Sequence, residues 1–117
     1  MARVTASELG PGTIAWAQLE PVQGREQGGH RPILVISSTG YLEAVTTLVV
    51  ALPITTTDRG WPNHVRVAGP SGLDRPSWVM TEQPRTLARS RITGIAGVVS
   101  DACLASVRVW LGDFLDL

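Results

Sequence analysis

Glu26, His30 and Arg31 fall in one run, Glu26-Gln27-Gly28-Gly29-His30-Arg31, where a glycine-rich loop meets an apolar strand. Each brings a different capacity to a reacting group. A carboxylate accepts a proton at neutral pH when it is held near a hydroxyl, and a guanidinium stays charged because its pKa lies above about 12. Histidine titrates near neutrality unaided. Gly28 and Gly29 admit backbone conformations that bulkier residues resist, which lets the loop approach a ligand closely. A third apolar stretch ends in Pro53-Ile54-Thr55-Thr56-Thr57, where Thr55 offers a hydroxyl with little rotameric freedom. Plainer roles fit the same spacing: a solvated connection with Arg31 paired to Glu26, and Thr55 as a turn cap. His30 and His64 offer a second arrangement, an acid/base pair, although a strand histidine such as His64 is more usually exposed or locally hydrogen-bonded.

Convergence of these groups depends on the elements that carry them. Residues 13–19, 32–38, 45–54, 63–68 and 77–81 are rich in Val, Ile, Leu, Thr and Trp and are bounded by Gly, Pro, Asn or Asp, which predicts five strands. Residues 94–99 add a sixth. Their short separations favour antiparallel connections, because a parallel crossover needs a dozen or more residues. Ser100 is placed to cap a helix whose Leu104, Val107, Leu111 and Phe114 share one apolar face. Between the last two strands, residues 83–91 carry Arg85, Arg89 and Arg91 and read as a connector with a helical turn. The pattern is a mainly β fold with a C-terminal helix, a small antiparallel β-barrel in one domain over residues 1–117.

Composition narrows the function classes. Ten basic residues, all arginine, balance ten acidic ones, so any nucleic-acid site must be a local patch. Arginine retains the planar fork suited to phosphate, while the absence of lysine removes a catalytic base. The single Cys103 cannot form an intramolecular bridge, and no apolar run approaches the roughly 20 residues of a membrane span. The expected setting is therefore reducing and cytoplasmic. One cysteine and two histidines lack the paired spacing of a zinc site, and no metal or other cofactor is expected.

Taken in order, Gly12-Thr13-Ile14-Ala15-Trp16-Ala17, the block from Gly24 to Ile36, Pro53-Ile54-Thr55-Thr56 and Glu82-Gln83-Pro84-Arg85-Thr86 resemble the MazF/PemK family of toxin endoribonucleases. Thr13 and Gln18 depart from that family's pattern, in which acidic residues are frequent at both positions. The resemblance implies an SH3-like barrel of the CcdB/MazF type, a homodimer, and a cognate MazE-like antitoxin. It also implies sequence-selective, metal-independent and ribosome-independent cleavage of single-stranded RNA to 2′,3′-cyclic phosphate and 5′-hydroxyl ends. Arg31 and Thr55 match the family's catalytic pair, and Glu26 is the candidate base on chemical grounds. Gln27, His30, Thr56, Arg59, Gln83 and Arg85 are the candidate RNA-binding residues, with Asn63 a further base reader, Arg89 and Arg91 further phosphate contacts, and Trp61 a stacking platform. Trp16, Trp78 and Trp110 are assigned to core or interface. The alternative function is a CcdB-like toxin that binds DNA gyrase and catalyses nothing.

Overall fold

The computed structural model describes residues 8–19 and 29–117. Its elements run β1 (Thr13–Gln18), β2 (His30–Val35), α1 (Thr39–Ala44), β3 (Leu48–Thr55), β4 (His64–Arg66), β5 (Trp78–Met80), β6 (Arg85–Ala88), a single 3-10 turn (Arg89–Arg91), β7 (Ile92–Val98) and α2 (Asp101–Leu115). The strands form one antiparallel sheet in the order β4-β5-β3-β2-β1-β7, with β6 on the first half of β3.

β3 organises the sheet because it is apolar on both faces. Val49 and Ala51 join Ile33, Val35, Leu42 and Leu87 in one buried cluster, while Leu52 and Ile54 join Leu34, Val79, Leu104 and Val107 beneath α2. A strand covered on both sides loses the alternation of a half-exposed one, which is why its sequence is a nearly unbroken apolar run. The Ser100 side chain caps α2 by accepting from the Cys103 N–H, as its place before the apolar periodicity predicts. Phe114, assigned to the buried face of that helix, is instead 47 % exposed, because it lies against Trp110 at the lip of an open cleft.

Two elements depart from the sequence expectation. Residues 39–44 form the short helix α1, capped by Ser38, whose Oγ accepts from Tyr41 N at 3.0 Å. Residues 85–88 are a strand rather than a connector, since β6 satisfies the edge of β3 and buries Leu87 opposite Val49. The sheet also stays open: β4 and β7 form no ladder with each other. Its ends are stitched by the segment after β4, where Pro70 O accepts from Val98 N at 3.1 Å and Ala68 O from Ser100 N at 2.8 Å.

Candidate active site

Strand register assembles the site. The β2–β3 ladder runs to Ile33 opposite Pro53, so Arg31 and Thr55 stand two residues beyond that pair on their respective strands. Side chains alternate between faces, and both residues therefore share the face of Ile33 and Pro53, level with each other if the register continues. Across the other edge of β3, Thr55 opposes Trp78, and Trp78 opposes Arg66. Arg66 Cζ lies 5.3 Å from the centroid of the Trp78 ring, which confirms that the two share a face. The result is a row of guanidinium, hydroxyl, indole and guanidinium running across four strands. Arg31 and Arg66 are exposed, Trp78 is half-buried and Thr55 is buried.

Thr55 Oγ1 accepts from Thr57 N at 3.1 Å, so its turn-cap role is real. That bond uses a lone pair and leaves the O–H free to donate to an incoming oxygen. One residue can thus shape the loop and contact a substrate. Arg85 opposes Ala51 on the same face of the sheet as Arg31, adding positive charge on that side.

Two residues before Arg66 on β4, His64 belongs to a polar frame that the sequence did not reveal. The His64 side chain is only 2 % exposed, and its Nε2 lies 3.0 Å from both Oε1 and Oε2 of Glu82. An ionised carboxylate only accepts, so Nε2 carries the hydrogen. Asn63 Nδ2 donates to Glu82 Oε1 at 3.0 Å and to Thr81 Oγ1 at 3.2 Å, while Thr81 donates back to Asn63 O at 2.7 Å. Partial burial works to raise the pKa of Glu82, but hydrogen bonds from His64, the backbone and Gln83, with the field of His64, hold it below its ordinary value. Among the described residues, His64 Nδ1 is buried without a hydrogen-bond partner. The exposed Trp61 ring leans on His64 at 4.7 Å. No signal marks this frame locally, because its members meet only when β4 pairs with β5.

The remaining candidates separate clearly. Glu26 and Gln27 lie outside the described residues. His30 lies on the opposite face of β2 from Arg31, where it stacks on Trp16 at 5.5 Å and meets Thr93 Oγ1 through Nε2 at 2.7 Å. It is not brought beside Thr55, and β5 and β3 stand between its strand and that of His64, so the two histidines do not form a pair. Thr56 is exposed just past the end of β3, and Arg59 reaches back to Met80 Sδ at 4.0 Å. Gln83 is half-buried, its amide 3.8 Å from Met80 Sδ and 3.5 Å from Glu82 Oε2. Arg89 and Arg91, assigned to RNA from composition, bind backbone instead. Arg89 donates to Leu48 O at 2.9 Å, to Val45 O at 2.7 Å and to Leu42 O, and Arg91 donates to Gln18 O at 3.2 Å.

The model of the PemK-like, MazF-like toxins of type II toxin–antitoxin systems matches residues 10–115. The chain belongs to that family. It is 38 % identical to Endoribonuclease EndoA of Bacillus subtilis over 84 residues, 70 % of this chain and 72 % of EndoA. The crystal structure of MazF from Deinococcus radiodurans superposes with a TM-score of 0.82 at 34 % identity, covering 93 % of this chain and 97 % of that one. A chain of the MazE-MazF crystal structure from the same organism gives a TM-score of 0.76 at 33 % identity, covering 93 % and 96 %. Within this MazF-like fold, the Arg31–Thr55 row occupies the face opposite α2. A separate cleft of about 370 Å³, lined by Thr81, Glu82, Pro84, Leu111, Phe114 and Leu115, includes neither residue. Among the described residues, no three His, Cys, Asp or Glu side chains cluster as a metal site, and no helix is long and apolar enough to cross a membrane.

Proposed function

We propose that this toxin-family chain is a sequence-selective, ribosome-independent endoribonuclease acting on single-stranded RNA. The observation that carries the reading is the β2–β3 register, Ile33 opposite Pro53, which puts Arg31 and Thr55 each two residues further along on the same face. The ribose 2′-hydroxyl attacks the adjacent phosphorus, its proton passes to a base, and the 5′-oxygen departs with a proton to leave a 2′,3′-cyclic phosphate and a 5′-hydroxyl. The nucleophile belongs to the substrate, so the protein's tasks are proton transfer and stabilisation of the phosphorane oxygens. Arg31 supplies fixed positive charge and a donor, Thr55 donates its hydroxyl to a phosphoryl oxygen, and Glu26 is the base. The similarity to EndoA, named as an endoribonuclease, supports this reading over gyrase binding.

Purified protein incubated with a long unstructured RNA in EDTA should give discrete cuts bearing the cyclic-phosphate and 5′-hydroxyl ends. Arg31→Ala and Thr55→Ala should each lower the rate by about 100-fold or more without loss of folding, as when one oxyanion donor is removed. Normal cleavage by either variant refutes its role. Glu26→Gln with the parent's pH–rate profile would remove the carboxylate from proton transfer.

The partners follow from the same reading: a cognate MazE-like antitoxin, supported by the MazE-MazF neighbour, and a second copy of the chain. An extended acidic segment of the antitoxin would oppose the arginines of the site, and it should compete with RNA for binding. Ile95, Val98 and Val109 are exposed apolar residues of β7 and α2 that a homodimer can cover, and sedimentation across a concentration series tests this.

A further inference from the structure

We propose that Trp78 and Arg66 form a nucleotide shelf beside Thr55. The Trp78 indole stacks one base flanking the scissile phosphate, and Arg66 pairs with the next phosphate along the strand. This rests on the endoribonuclease reading and adds to it the subsite that holds the neighbouring nucleotide.

The argument begins with register. Thr55, Trp78 and Arg66 are consecutive partners across β3, β5 and β4, so their side chains share a face. Adjacent strands lie about 4.8 Å apart, which sets the Arg66 backbone roughly 10 Å from that of Thr55. A single strand of RNA laid across the β-strands meets, in order, Arg31, the Thr55 hydroxyl, the Trp78 ring and the Arg66 guanidinium. That sequence of charge, donor, π-face and charge matches phosphate, base, phosphate. Trp78 is half-buried, which fixes the ring by packing while leaving part of it reachable. Arg66 Cζ sits over the ring, 5.3 Å from its centroid, on an exposed side chain, so the base takes the place of the guanidinium on the ring as Arg66 swings out to the phosphate.

A surface cation–π pair that merely tightens the β4–β5 hairpin has the same static geometry but different consequences. Base–aromatic stacking is sequence-tolerant and acts on affinity, so the shelf governs KM and leaves base identity to polar groups elsewhere. Arg66, as a phosphate contact, contributes to the salt dependence of binding.

The test uses a short RNA spanning one mapped cut site and the same RNA with an abasic ribose at each flanking position in turn. The parent should lose about 10-fold in kcat/KM at one of these positions, as expected when a stacked base is removed. Trp78→Leu, which keeps apolar bulk but has no π-face, should raise KM by a similar factor at unchanged kcat and show no further loss on the abasic RNA. Trp78→Phe should restore most of the sensitivity. Arg66→Gln should reduce the slope of log K against log salt by about 1. Equal abasic penalties in the parent and Trp78→Leu, with normal cleavage by both, overturn the shelf while the nuclease reading stands. If the parent cuts no RNA at all, the nuclease reading falls. Anisotropy with an unstructured RNA then decides the shelf: weaker binding by Trp78→Leu supports it, and equal binding overturns it.

Discussion

At the scale of single residues, Glu82 makes the clearest link between geometry and pH. Its carboxylate accepts from His64 and Asn63, and its folded-state pKa lies below the ordinary value despite partial burial. A depressed folded pKa means that ionisation stabilises the native state above the unfolded-state pKa, about 4.3, and that this contribution is lost as pH falls through the lower folded value. Thermal melts from pH 7 down to pH 3 should show the parent losing stability below about 4.3 more steeply than Glu82→Gln. Parallel curves would deny the pair any pH-linked role. The candidate reactive residues were partly legible in the sequence: Arg31 and Thr55 stand out beside a glycine loop and at the end of an apolar run. Their mutual position was not, because it depends on the pairing of β2 with β3. Glu82 and His64 are 18 residues apart, and the sequence gives neither any sign of the other.

At the scale of elements, Arg89 binds three parts of the chain together. Its side chain reaches Leu42 O and Val45 O at the end of α1 and Leu48 O at the start of β3. Carbonyls at a helix C-terminus lack intrahelical partners, and a guanidinium supplies both donors and favourable charge there. Arg89→Ala should lower stability by about 2 to 3 kcal/mol in urea unfolding. Ser100→Ala should cost about 1 kcal/mol through the lost cap on α2. Both elements missed from sequence have a physical reason. α1 is only six residues long and contains Gly40, too short for a periodic apolar face to register. β6 is a strand because the edge of β3 needs hydrogen-bond partners, and nothing within Arg85-Thr86-Leu87-Ala88 encodes that demand. The long strands and α2 were legible because their patterns of burial are carried locally.

At the scale of the molecule, an open sheet must hold its two ends in place without a closing ladder. The segment from Ala68 to Gly72 does this by lying against β7 so closely that side chains are excluded. A Cβ at Gly97 would meet Pro70 O at 2.3 Å and the Ser71 carbonyl carbon at 2.5 Å, and both are backbone atoms that cannot swing away. Gly72 adds a left-handed φ of 73°, which alanine resists. Gly97→Ala should therefore part the seam and destabilise the fold by about 1 to 3 kcal/mol, lowering the urea midpoint with little change in slope. The seam contains neither Arg31 nor Thr55, so RNA cleavage per folded molecule should match the parent at low temperature. This outcome contrasts with the one expected for Arg31→Ala, in which the fold should persist and cleavage should fail. Loss of cleavage by a fully folded Gly97→Ala would instead mean that the way the sheet ends are held sets the spacing of the Arg31–Thr55 row. The site would then be a property of the whole curved sheet rather than of the β2–β3 register alone.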